Sequence, residues 1–101
     1  MLAEFSIIPL GKGKHLAGYV AEVLKLVDQS GLDYRLHAMG TEVEGSWDEV
    51  MGLIRRCHER MGKLCGRVYT QIRIDDFPGR TGMICSKVSA VERRVGSKLK
   101  T

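Results

Sequence analysis

At 101 residues the chain is long enough for one domain around one core and too short for two ordinary ones. Sixteen Lys and Arg stand against twelve Asp and Glu, yet Arg93, Arg94, Lys98 and Lys100 crowd into the last nine residues, and what precedes them is electrically balanced. A balanced body argues against a nucleic-acid-binding domain, and the basic end reads as a solvated tail.

Residues 2 to 9 are rich in Ile, Leu and Phe and stop at Pro9 before "LGKGK", which predicts a strand followed by a turn. From Lys14 the apolar positions Leu16, Tyr19, Val20, Val23, Leu24 and Val27 follow one helix face, so a helix is expected to Ser30, with Gly31 as the left-handed residue that ends it. "DYRLHAM" alternates with period two and is broken by Gly40. "TEVEG" alternates again, which predicts two strands joined by a tight turn or a bulge at Gly40. Ser46 and Glu49 form an S-x-x-E capping box ahead of the clearest helical stripe in the chain, Val50, Leu53, Ile54, Cys57, Met61, Leu64 and Cys65. "RVYTQIRIDD" reads as a fourth strand and "FPGRTG" as a loop. A last helix carries Ile84, Val88, Val91 and Val95 in a narrow stripe.

The order β-α-β-β-α-β plus a C-terminal helix is the split βαβ, or ferredoxin-like, arrangement: a four-stranded antiparallel sheet with two helices on one face. One such α+β domain is expected over residues 1–95, with residues 96–101 as the basic tail. Alternation places Phe5, Ile7, Leu36, Val43, Val68, Ile72 and Ile74 under the helices. It turns Glu4, Ser6, Arg35, His37, Met39, Glu42, Glu44, Gln71, Arg73 and Asp75 onto an uncovered face. That face reads either as a solvated surface of weak ion pairs or as half of an interface with small molecules at its seam.

Several motifs give way to plainer readings. "GKGKHL" lacks the full phosphate-loop pattern and reads as a helix-start loop. The sheet has no pair of aromatic stacking residues for RNA. Cys57, His58, Met61 and Cys65 share part of a helix but have no further ligand to complete a metal set, so they read as core with His58 at its boundary. No nucleophile elbow or catalytic constellation is present, so the chain is not read as an enzyme. Cys57, Cys65 and Cys85 form neither an even set nor a C-x-x-C pair, which argues against disulfides or a zinc ribbon and fits reduced thiols in a cytoplasm. The N-terminal "MLAEFSIIPLG" has no secretory character, and no apolar run approaches membrane-spanning length.

"IIPLG", Tyr19, "MGTEVEG", "HE" at 58 and 59, "QIRIDD" and "KVSAV" together resemble the small thiamine-binding protein family, over residues 4 to 92. The resemblance implies a ferredoxin-like fold, a homotetramer built as a dimer of dimers, and binding of thiamine or its hydroxymethylpyrimidine moiety without turnover or a further cofactor. It points to Ser6, Pro9, Met39, Gly40, Thr41, Glu42, Glu44 and Asp75 as ligand-binding. Met39 would supply a pliant wall, Gly40 a close backbone approach, and Ser6 and Thr41 hydroxyl groups. Glu42, Glu44 or Asp75 would receive the amine or offset the cationic ring. Because Thr41 and Glu42 point to opposite faces, a bulge at Gly40 or a cleft at the sheet edge is needed for all to touch one ligand. After Asp76 the chain runs "FPGRTG" where relatives commonly place a basic residue. The alternative function is an oligomeric interaction module with no small-molecule ligand, assembled through the sheet face and the last helix.

Overall fold

The structure, a computed structural model, describes residues 1–101. Its elements run β1 (Leu2–Pro9), α1 (Ala17–Gln29), β2 (Asp33–His37), β3 (Gly40–Glu44), α2 (Trp47–Leu64), β4 (Val68–Asp75) and α3 (Met83–Val95). The strands form one sheet in the order β2-β3-β1-β4, with every neighbouring pair antiparallel. This is the ferredoxin-like arrangement that the order of elements predicts.

Local chemistry sets the helix ends. The first helix begins at Ala17, with Leu16 as its N-cap, after a loop in which Gly11 and Gly13 hold φ of +79° and +82°. Gly31, at φ +77°, follows its C-terminus as expected. At the head of α2 the capping box is complete: the Glu49 N–H donates to Ser46 Oγ at 3.2 Å and the Ser46 N–H to Glu49 Oε1 at 2.9 Å.

The core lies between the sheet and the pair α1 and α2. Ala3, Phe5 and Ile7 from β1 meet Val43 from β3, Val23 and Val27 from α1, and Val50, Leu53, Ile54, Cys57 and Met61 from α2. Burial of a full-sized aliphatic side chain is worth about 1.5–3 kcal/mol, so the α2 stripe is the main anchor. Three residues expected under the helices are less covered: Leu36, Ile72 and Ile74 are 59%, 37% and 40% exposed. They belong to β2 and β4, the two edge strands, and a two-helix layer does not reach fully across a four-stranded sheet.

The opposite face is not bare. Glu44 and Asp75 both flank Leu2, on the face away from Val43, and both bind α3. The third helix therefore crosses one end of the face that alternation alone leaves open.

Candidate functional site

A difference in strand length creates the site. Along β4, β1 is paired from Leu2 to Pro9, but along β3 only from Leu2 to Phe5, because the β2–β3 hairpin turns back at Ala38 and Met39. The β3-side backbone edge of Ser6, Ile7 and Ile8 is left without a strand partner. A cleft of about 240 Å³ opens there, walled by Val20, Val23 and Leu24 of α1 on one side and by the hairpin residues 36–41 on the other. Ser6, Met39, Gly40 and Thr41 all line it.

The hairpin pairs His37 with Gly40 in regular register and contains no bulge. Gly40 is needed for close approach: a Cβ there would stand 3.2 Å from the Phe5 carbonyl oxygen, a backbone atom with little freedom to yield. Met39 is 91% exposed at the tip. Thr41 is only 4% exposed, faces the core side and lines the cleft. Next to Met39 lies a second, more polar depression of about 350 Å³, shared by Phe5 and Ser6 and lined otherwise by Glu4, Gln71, Ile72 and Arg73.

The remaining sequence-predicted residues lie elsewhere. Pro9 is buried opposite Val68, outside the cleft. Glu42 and Asp75 line a separate depression beside Lys87. Glu44 is 9% exposed, and its carboxylate accepts the backbone N–H of Met83 at 2.9 Å and of Ile84 at 3.3 Å. It caps α3, whose own N-cap, Gly82, has no side chain to do so.

All five carboxylates of this sheet face are engaged within the chain. Asp33, which stands opposite Glu44, pairs with Arg35 at 3.2 Å. Glu4 accepts from Arg73 Nε at 3.1 Å, Glu42 lies 3.5 Å from His37 Nε2, Asp75 pairs with Lys87, and Glu44 holds α3. The cleft itself is mainly apolar, and a ligand there meets hydroxyl and backbone groups before it meets a charge. The unpaired edge of β1 and the apolar wall from α1 went unread in the sequence. The signal was present: β1 has eight residues and β3 only five.

No cluster of three His, Cys, Asp or Glu stands in metal-binding proximity. Cys57 and Met61 are sealed in the core and Cys65 is 9% exposed, while exposed His58 hydrogen-bonds Thr70 Oγ1 through Nδ1 at 2.7 Å. Burial pushes the Cys57 thiol up to about 11, which leaves it protonated and unreactive at neutral pH. No helix is long and apolar enough to cross a membrane.

Known proteins share this arrangement. A UPF0045 protein of Mycobacterium bovis is 38% identical over 94 residues, spanning 92% of each chain. One of Synechocystis is 33% identical over 93 residues, 91% of this chain and 77% of its own. The crystal structure of a hypothetical protein of Methanocaldococcus jannaschii superposes with a TM-score of 0.83 at 32% identity, over 89% of this chain and 93% of that one. The profile of the family described as thiamine-binding protein matches residues 3–92, from the start of β1 through most of α3. With both the fold and nearly the whole length matched, the chain belongs to the thiamine-binding protein family.

Proposed function

We propose that this chain binds thiamine, or a hydroxymethylpyrimidine compound related to it, without turning it over, as a carrier, buffer or sensor. The observation that carries the reading is the unpaired β1 edge beside an apolar cleft. An aminopyrimidine presents an amine donor next to a ring-nitrogen acceptor, and a free strand edge presents carbonyl acceptors and N–H donors at matching spacing. The faces of the ring pack against Val20, Leu24 and Leu36. The hydroxyls of Ser6 and Thr41 take up remaining ring polarity.

Size sets the binding mode. Pockets for drug-sized ligands run to about 300–1,000 Å³, so a cleft of about 240 Å³ holds one ring. The second ring of thiamine then lies across the thioether of Met39 toward the depression that contains Glu4. No resident cofactor enters this scheme, and the binding domain is residues 1–95.

The test is a thermal-shift panel of thiamine, its phosphates and the free pyrimidine. A ligand at a hundredfold its Kd adds about 2.7 kcal/mol of stability, so the unfolding midpoint rises with dose. Thr41→Val, which keeps the shape and removes the hydroxyl, weakens binding by about three- to tenfold. A flat response from every compound sinks the proposal.

Assembly is a second part of the reading, favoured by one observation. Val88, Val91, Val95 and Leu99 are 38%, 53%, 57% and 42% exposed along α3 and its extension, an apolar stripe without a partner in the chain. A second copy of the chain covers it in our reading, within the homotetramer that the family resemblance implies.

A further inference from the structure

We infer that Glu4 is the specificity-determining group of this site: it exchanges Arg73 for the positive charge of a bound ring, so the site prefers a pyrimidine joined to a cationic ring over the neutral pyrimidine alone. The inference rests on the binding function proposed above.

The depression next to Met39 is lined by one acid and one base, Glu4 and Arg73. Phe5, Ser6 and Met39 line both it and the apolar cleft, so a two-ring ligand seated in the cleft extends toward Glu4. The other acids are committed elsewhere. Glu44 holds the N-terminus of α3, while Glu42 and Asp75 line the separate depression beside Lys87, which Glu4 borders from its other end.

Charge around Glu4 favours a cation. The strand registers set Glu4 between Glu42 of β3 and Arg73 of β4. Like charges directly opposite in a sheet repel, and the partner of Glu42, His37 at 3.5 Å, carries a charge only when protonated. The five carboxylates of this face meet three permanent cations, Arg35, Arg73 and Lys87. An incoming cation finds a surplus of acid.

The pair that must open is a weak one. Glu4 accepts from Arg73 Nε at 3.1 Å, but the arginine side chain is 81% exposed and the carboxylate 37%. Exposed ion pairs of this kind add little to stability, so Arg73 turns into water at small cost. A quaternary ring nitrogen has no proton to donate and needs a nearby charge, not a directed acceptor. Glu4 supplies that charge, and the thioether of Met39 on the same wall supplies a polarisable surface.

Calorimetric titrations of thiamine and of the free hydroxymethylpyrimidine test the inference, on the parent chain, Glu4→Gln and Arg73→Gln. Glu4→Gln is expected to weaken thiamine about five- to tenfold more than it weakens the pyrimidine, by a margin that shrinks as salt is raised. Arg73→Gln, which frees the carboxylate, is expected to tighten thiamine about two- to threefold. The opposite signs matter, because a pair that only held the sheet together would weaken thiamine when broken from either side. Equal losses for both ligands in Glu4→Gln, or no loss, overturn the inference and leave the binding function standing. So does a thiamine affinity that Arg73→Gln lowers or leaves unchanged. If the pyrimidine binds too weakly to measure, the signs of the two thiamine shifts decide alone. Silence from both ligands on the parent overturns this inference together with the function beneath it.

Discussion

Glu44 and Glu49 lie five residues apart, and each carboxylate closes the N-terminus of a helix, one of its own turn and one thirty-nine residues away. Glu49 was legible as a cap because its partner Ser46 is three positions back and the geometry of one helical turn fixes the contact. The backbone N–H and then the hydroxyl of Ser46 hold the Glu49 carboxyl below the ordinary carboxylate range. A carboxyl with a lowered folded value stabilises fully above the unfolded value, about 4.5, and that contribution is lost as pH falls through the folded one. Melting curves across this acid window should therefore show a falling midpoint, and Glu49→Gln should remove part of the slope. A slope identical in parent and variant would show that the box carries no pH-linked stability.

Among the elements, α3 is the one whose position the sequence left open. Its narrow stripe predicts a helix but not a face of the sheet, and its docking rests on a side chain from β3. Glu44→Gln keeps the size of the side chain but replaces one acceptor oxygen by a donor that faces an N–H. We expect a loss of about 1–2 kcal/mol and faster hydrogen exchange at Met83 to Lys87, with the exchange of α2 unchanged. Protection of α3 equal to that of the parent would mean that the helix is held by something other than this carboxylate. The hairpin teaches the converse lesson. Its two strands follow from period-two alternation, because pairing within a hairpin is local, but the turn falls at Ala38 and Met39 and Gly40 already belongs to β3. The cleft beside it needed β1, β3 and α1 to be placed together, so no local pattern announced it.

The whole molecule is more elongated than its length requires. Its radius of gyration is 14.9 Å and its extents are 46 × 29 × 21 Å, whereas a compact domain of 100 residues has a radius of about 13 Å. Only seventeen of the 101 residues are buried, so a small core carries the fold, and α3 lies outside it with an apolar stripe exposed. Light scattering on the purified chain should give a mass above that of a monomer. Val91→Asp with Val95→Asp should lower the mass to 11.3 kDa while the circular dichroism spectrum keeps its helical and sheet content. A parent chain that is monomeric at high concentration would leave the stripe without the partner assigned to it.

By itself the sequence determined the order of the elements, the ferredoxin-like sheet, the α2 stripe and its cap, because periodicity and capping act over a few residues and survive without a three-dimensional frame. The resemblance carried by "MGTEVEG" and its companions named the family from the same string. Tertiary structure alone decided that Ser6, Met39, Gly40 and Thr41 share a cleft while Pro9, Glu42, Glu44 and Asp75 do not, and that Glu44 belongs to α3. The physical reason is common to all of these: which groups meet depends on strand length, on sheet order and on where a helix lands, and those are set by contacts between residues far apart in the chain.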